Sequence, residues 1–349
     1  MLSKHVTGLR GDWARAGRRR IVGKVSPDSN ATMKHVRLIA VSVSAVLALA
    51  GCKPAQESAA PDADAVAATH AAGTDQAYLA SVEQWRQERE ARLRDPDGWL
   101  SFTGSGQVAI GTHRVGSAND NDIVVPGGPA HWGVLTVPAE GAPVFQPAAD
   151  AGLQVDGKPF AGGPLLTQLD EGGPTGIHSG AQRFYLVRTG EVYGWRYRDP
   201  ESPALKAFDG VPHFPVDPAW RIEAKWTAFE PARTLDLVTT NGTIEPARVP
   251  GQAEFELEGQ RHVLLPVQEE EGDELFFIIA DRTSGRETYG GARFLYVPAP
   301  EGDSVVLDFN RAQNPPCALN GHVVCPTAPP ENRLPLRITA GEKTYPLAH

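Results

Sequence analysis

Glycine and proline recur along the whole chain, and they restrict the folds that are open to it. The 349 residues include 36 Gly and 30 Pro, and both residue types interrupt long helices. Hydrophobic residues make up 41% of the chain, which is enough to bury a core. The sequence therefore predicts a mainly β protein, in which short antiparallel strands joined by turns form sandwich-like or barrel-like sheets.

Two dipeptides mark tight turns between runs of β-forming residues. Asp156-Gly157 and Asn241-Gly242 each separate two such runs, which is typical of two-residue hairpin turns. Later runs of apolar and β-branched residues predict strands at 274–279, 293–297, 304–309, 337–339 and 343–345. The second half of the chain is therefore expected to be a succession of antiparallel strands.

One amphipathic helix is predicted before the strands, over residues 75–94. Four residues recur along it at spacings of three and four: Tyr78, Val82, Trp85 and Arg89. Such spacing places side chains on one face of a helix, and an Asp-Pro pair then ends it. This face either packs on the chain's own domain, which the pattern favours, or binds a partner.

Residues 33–51 have the parts of a secretory signal peptide. Two basic residues precede an apolar run at 38–49, which is too short to span a bilayer of about 30 Å as a helix. The run leads into Leu-Ala-Gly-Cys, which resembles the lipobox of bacterial lipoproteins. The resemblance implies diacylglycerol on the sulfur of Cys52 and cleavage before it. Because residue 53 is Lys rather than Asp, it also implies an outer-membrane lipoprotein that faces the periplasm. An ordinary signal peptide is the alternative.

The segments that flank the signal peptide are expected to lie outside the folded part. Residues 1–32 precede a complete signal peptide, so they are interpreted as an upstream extension with Met33 as the true start. A longer basic leader is the alternative. Residues 52–74 are rich in Ala, Pro and Asp and lack aromatic residues, which predicts a flexible tether.

The charge balance argues against nucleic acid as a partner. The full chain has a formal net charge of −9, whereas phosphate backbones require a basic face. Nine basic and two acidic residues precede Cys52, so the mature chain would carry a net charge of −16. An acidic domain tethered to the membrane by its lipid anchor is the expected arrangement.

The folded part divides into two predicted β units. Residues 75–200 comprise the helix and a β-sandwich, and residues 201–349 form a C-terminal β unit. The stretch 200–232 is rich in turns, and a single continuous assembly is the alternative. Segments 107–111 and 121–126 resemble the forkhead-associated sandwich. The Ser-x-x-His pattern with which that fold reads phosphothreonine is missing from this sequence, so the resemblance implies the fold without phosphopeptide binding.

Polar motifs are densest after residue 280. They are ADRTSGRETYGGARF at 280–294, LDFNRAQNPPCA at 307–318, ENRL at 331–334 and AGE at 340–342. Together with an earlier Gly-Trp-Leu at 98–100, they resemble the signature of the domain of unknown function 1684 family, over about residues 80–349. That family has no established activity, so the resemblance implies membership and no specific function.

A ligand site is predicted where two apolar strands end. Asp281 and Asp308 each follow such a strand, and Arg293 on a neighbouring strand would keep a carboxylate there ionised. A guanidinium fork also suits a carboxylate or phosphate ligand. The full candidate set is Asp281, Tyr289, Arg293, Asp308, Asn310 and Asn314. The alternative is a network of capped turns that fixes the loops.

Cys317 and Cys325 are the two cysteines that remain once Cys52 is lipidated. In an oxidising periplasm their proximity in sequence predicts a disulfide, which needs Cα atoms within about 7 Å of each other. Three alternatives stay open: a thiolate nucleophile paired with His322, a two-cysteine metal site, and unpaired structural cysteines.

The sequence contains no HExxH, GxGxxG or Walker motif, so neither a metal nor a cofactor is predicted. We expect an uncharacterised envelope lipoprotein, and in the first place a binding or structural module for a small-molecule or envelope-polymer ligand. The alternative is an envelope hydrolase that acts through Asp281, Tyr289, Arg293, Asp308 and Asn310.

Overall fold

A computed structural model describes residues 63–346, with side chains described from Asp75 onward. The segments 1–32 and 33–51 and the lipobox Cys52 lie outside the described residues. The described part is mainly β and combines antiparallel sheets, a half-barrel and one long helix, which confirms the predicted fold class. Within it, no helix is both long and apolar enough to cross a membrane.

Helix α1 (Ala63–Leu93) precedes the sheets and is longer than predicted. Its first turns cover residues 63–74, which the sequence assigns to the flexible tether. The abundance of alanine there accounts for the difference, because alanine has the strongest intrinsic helix propensity. Val82, Arg89 and Leu93 are buried along one face. The amphipathic face therefore packs on the chain's own domain, as the pattern favours.

Eleven short strands follow, between α1 and residue 200. They are β1 (Phe102–Val108), β2 (Gly111–Gly116), β3 (Ile123–Val124), β4 (Gly133–Val137), β5 (Val144–Pro147), β6 (Gln154–Val155), β7 (Lys158–Pro159), β8 (Gly163–Pro164), β9 (Ile177–Ser179), β10 (Gln182–Thr189) and β11 (Val192–Arg198). One sheet has the order β1-β11-β10-β9-β6-β7 and the other has the order β3-β2-β4-β5-β8.

These two N-terminal sheets pack face to face around one core. Side chains alternate along β10, so Phe184 and Leu186 enter this core and meet Leu135 of β4. The predicted Asp-Gly hairpin joins β6 to β7. Both of its residues have positive φ, 51° at Asp156 and 72° at Gly157, as a primed hairpin turn requires.

The C-terminal unit is built from longer strands. A short helix α2 (Pro203–Lys206) leads into β12 (Arg221–Val238), β13 (Ile244–Leu257), β14 (Gln260–Leu264), β15 (Leu275–Ile279), β16 (Arg293–Val297) and β17 (Ser304–Asp308). Four of them form a sheet in the order β14-β13-β12-β17, and β15 pairs with β16. The strands predicted at 274–279, 293–297 and 304–309 are confirmed to within one residue, and the Asn-Gly turn joins β12 to β13.

The predicted strands at 337–339 and 343–345 are wrong. This last segment runs as an extended loop, with Ile338 and Ala340 buried in the C-terminal core. Backbone groups of these residues bond to the side chains of Asp281 and Arg293 rather than to a neighbouring strand. Side-chain partners thus take the place of a sheet ladder around Ile338, whereas the N–H groups of Lys343 and Thr344 donate to the backbone oxygens of Pro212 and Glu287.

A shared core joins the two β units. Tyr185 lies on the outer face of the six-stranded sheet, where it belongs to one buried cluster with Phe208 and Leu319 of the C-terminal half. The side-chain amide of Asn320 also donates to the backbone oxygen of Phe102 at 2.7 Å. The units are therefore in direct contact through both apolar and polar groups.

Candidate functional site

The six candidate residues divide among four sets of contacts. The pairs are Asp281 with Arg293, Asp308 with Asn310, Asn314 with Glu342, and Tyr289 with Cys317. The structure therefore does not gather them into the single carboxylate, guanidinium and phenol group that the sequence suggests.

Asp281 and Arg293 form a sealed pair, with each side chain only 1% exposed and Nη2 and Oδ1 3.6 Å apart. Arg293 donates to the backbone oxygens of Ala340 and Ile338, and Asp281 accepts from the backbone N–H of Ile338 at 2.6 Å. Burial lowers the pKa of the Arg293 guanidinium, and the carboxylate of Asp281 opposes that shift. Both charges serve to hold the C-terminal segment.

Asp308 and Asn310 connect the end of β17 to helix α1. The Tyr78 hydroxyl donates to Asp308 Oδ1 at 2.7 Å, and Asn310 Nδ2 donates to the Tyr78 hydroxyl at 2.9 Å. Asp308 Oδ1 also caps the following helical turn by accepting from the Asn310 N–H. Burial and the carboxylate of Asp308 raise the pKa of the Tyr78 phenol, which keeps it a hydrogen-bond donor at neutral pH.

Asn314 belongs to a buried network around Glu342. Arg89 Nε lies 3.1 Å from Glu342 Oε1, with side-chain exposures of 7% and 0%. Arg89 Nη2 donates to the Asn314 backbone oxygen at 3.0 Å, and the Asn314 N–H donates to Glu342 Oε2 at 2.6 Å. Glu342 is part of the AGE motif at 340–342. The sequence does not indicate it as a site residue, because its partner Arg89 lies 253 positions away.

Cys317 and Cys325 are both free thiols, so the predicted disulfide is not present in the structure. They are nevertheless in contact, since the Cys317 N–H donates to the sulfur of Cys325 at 3.2 Å. The Tyr289 hydroxyl lies 3.7 Å from the Cys317 sulfur. Hydrogen bonds from Cys325 and Tyr289 lower the pKa of the Cys317 thiol, whereas burial raises that of Cys325.

The alternative of a cysteine nucleophile paired with His322 receives no support. Nδ1 of His322 lies 3.2 Å from the Ser105 hydroxyl of β1, so the imidazole is bonded to the N-terminal unit. Over residues 63–346, no group of three or more His, Cys, Asp or Glu side chains is arranged to hold a metal ion.

The two thiols should differ in reactivity. We expect a maleimide to modify half-buried Cys317 in the native protein and to leave fully buried Cys325 untouched. Peptide mapping by mass spectrometry without reductant measures this and distinguishes both from Cys52. Denatured protein, in which both thiols should react, is the control. Protection of both residues that disappears on reduction would show a disulfide instead.

Sequence reasoning missed one basic surface, on the outer face of the six-stranded sheet. Arg183 of β10 is directly opposite Arg198 of β11, and Tyr185 is directly opposite Arg196. His178 of β9 extends the first row, since it is opposite Arg183. We call these residues, with Ser105 opposite Arg196 on β1, the arginine face. The alternation Arg-x-Tyr at 183–185 and Arg-x-Arg at 196–198 is the signal that could have identified it.

Aromatic rings hold the guanidinium groups of the arginine face. Arg183 lies 5.0 Å from the ring centroid of Tyr185, and Arg198 lies 4.1 Å from that of Phe102. The Nε atoms of Arg183 and Arg198 are buried without a hydrogen-bond partner. Burial and the nearby Arg183 lower the pKa of His178. Positive charge is therefore concentrated on a half-buried surface of an acidic protein.

The fold and these contacts define a mainly β protein of two joined units, in which a long helix is fixed to the C-terminal segment by buried polar side chains. Residues 206–343 match the family described as "Protein of unknown function (DUF1684)". The chain belongs to this family through those residues, which confirms the resemblance over that range.

One solved structure with sequence similarity is the solution NMR structure of an uncharacterised protein of Haloarcula marismortui. It is 32% identical, with 40% of this chain and 78% of that chain covered and a TM-score of 0.35. No curated protein matches the chain.

Proposed function

We propose that this chain is a lipid-anchored protein of the bacterial cell envelope, whose folded part is a binding module on the periplasmic side of the outer membrane. The lipobox ending at Cys52 supports the anchor, and Lys53 supports the outer membrane. A membrane surface reached through the lipid is the partner that this proposal implies, and no nucleic acid is involved.

The contacts of the candidate polar side chains favour a binding function over hydrolysis. A hydrolase needs such groups to converge on an accessible pocket. Here Asp281 and Arg293 are sealed against the C-terminal segment, and Asp308 is bonded to Tyr78 of the helix. These residues stabilise the fold, which favours a binding module over an envelope hydrolase.

The anchor is tested by the variant Cys52→Ser in the producing cell. We expect it to move from the membrane fraction to the soluble periplasmic fraction, because acyl chains supply the membrane affinity and their loss leaves an acidic soluble domain. Cys317→Ser is the matched control and should sediment with membranes. Unchanged sedimentation of Cys52→Ser would contradict the anchor, and a density gradient would show which membrane holds the unmodified protein.

A further inference from the structure

We propose that the arginine face of the N-terminal sheet is a binding site for an oxyanion, a phosphate or carboxylate group carried by a small molecule or by an envelope polymer. The inference deepens the proposed binding module by giving it a site and a ligand class. The inference rests on the proposed binding function, but its evidence is the arrangement of Arg183 and Arg198.

Arg183 and Arg198 place two like charges side by side. They are cross-strand neighbours at one end of the paired strands β10 and β11, and like charges placed directly opposite each other destabilise a sheet. Over residues 63–346, neither guanidinium lies within 4.0 Å of a carboxylate oxygen. The chain has 42 acidic residues, so the lack of a carboxylate partner here does not follow from composition. A bound anion would supply the missing negative charge.

Aromatic rings hold the guanidinium donors of Arg183 and Arg198 in place. Arg198 is held against Phe102 and also lies 6.0 Å from the Tyr185 centroid, while Arg183 lies over that same Tyr185 ring. Stacking on aromatic rings fixes the guanidinium planes and leaves their N–H edges free to bond. Two fixed guanidinium forks side by side suit the several oxygens of a phosphate or carboxylate ligand.

Both arginines also have a hydrogen-bond donor without a partner. The Nε–H groups of Arg183 and Arg198 are buried without an acceptor, and an unsatisfied buried donor destabilises a fold. Internal contacts therefore leave these two donors without a partner, whereas Arg293, the one arginine of the C-terminal candidate set, donates to two backbone oxygens.

The arginine face lies beside the C-terminal unit. His322 reaches Ser105 on β1 from the loop that follows Asn320, so a polar rim borders the arginines on one side, and His178 borders them on the other. Both imidazoles have lowered pKa values, through burial and the nearby arginines. They remain neutral at pH 7 and can donate or accept hydrogen bonds to a ligand.

The test is calorimetric titration of the detergent-solubilised full chain with inorganic phosphate, citrate and polyphosphate at low salt. The unmodified protein is expected to bind at least one of them. Arg183→Gln and Arg198→Gln should each weaken that binding by about tenfold, since each removes a charge-assisted hydrogen bond. Arg233→Gln is the matched control, because Arg233 also stacks on an aromatic ring, at 3.7 Å from the Phe229 centroid, but lies in the C-terminal unit.

Loss in the two variants with binding retained in Arg233→Gln supports the site, and a preference for polyphosphate would identify the polymer as the source of the anion. Equal loss in all three variants, or no binding of any probe, would overturn it. The probe that binds should also raise the melting temperature of the unmodified protein and not that of the double variant Arg183→Gln/Arg198→Gln. Sedimentation of the unmodified protein with membranes reports the anchor separately, so failure of the site is distinguishable from failure of the proposed function.

Discussion

Replacing Asp281 with Ala is expected to lower the free energy of unfolding by about 3–5 kcal/mol, because breaking a buried ion pair leaves an uncompensated charge. Arg293 would remain in the core with 1% of its side chain exposed and without its ion-pair partner. The Ile338 N–H, which donates to Asp281 at 2.6 Å, would lose its acceptor as well. Urea unfolding followed by circular dichroism measures the change.

The matched control for Asp281→Ala is Glu287→Ala. Glu287 also pairs with an arginine near the C-terminal segment, Arg337, but the side chains are 35% and 58% exposed. An exposed pair contributes about 0–1 kcal/mol, so the control should unfold almost like the unmodified protein. The double variant Asp281→Ala/Arg293→Met should recover part of the loss, because it removes the unpaired charge. Equal effects of the two single substitutions would show that burial of the Asp281 pair does not matter.

Replacing Glu342 with Ala should loosen helix α1 from the rest of the fold. Glu342 is fully buried and contacts both Arg89 of the helix and the Asn314 N–H. We expect a loss of about 3–5 kcal/mol in unfolding free energy, since the Arg89 guanidinium would be left buried and unpaired. Hydrogen exchange in α1 should rise, because local opening of the helix would require less energy.

Two further variants make the Glu342 experiment specific. Glu342→Gln keeps an acceptor oxygen for the buried network, so it should be milder than Glu342→Ala. Glu83→Ala changes an exposed residue of the same helix, where Glu83 accepts from Gln87 at 3.4 Å, and should leave exchange in α1 unchanged. Unaltered exchange in Glu342→Ala would mean that the apolar contacts of the helix hold it without this ion pair.

The sequence predicted the mainly β fold because turn chemistry is local. Asp156-Gly157 and Asn241-Gly242 indicate hairpins because Asp, Asn and Gly tolerate positive φ better than other residues do. The mostly apolar run at 274–279 favours a buried strand over a helix because it is short. The exception is instructive. The segment 337–339 has β-forming composition, yet its backbone partners are the side chains of residues distant in sequence, and no local pattern reports those.

The candidate site was harder to predict than the fold because its contacts join distant parts of the chain. Asp308 and Asn310 lie at the end of β17, but their partner Tyr78 lies 230 and 232 positions away. The arginine face depends on register instead. Arg183 and Arg198 become neighbours only once β10 and β11 pair in one alignment, and a shift of one residue would send them to opposite faces.

The placement of Glu342 has a consequence for the order in which the molecule can form. Helix α1 leaves the ribosome well before the carboxylate that neutralises its Arg89, because Glu342 follows Arg89 by 253 positions. The ion pair that docks the helix can therefore form only after residue 342 has been made, and contacts of such long sequence separation slow folding. Until then the helix surface stays exposed, so a polypeptide interrupted before residue 342 would be left with an undocked helix that proteases can recognise.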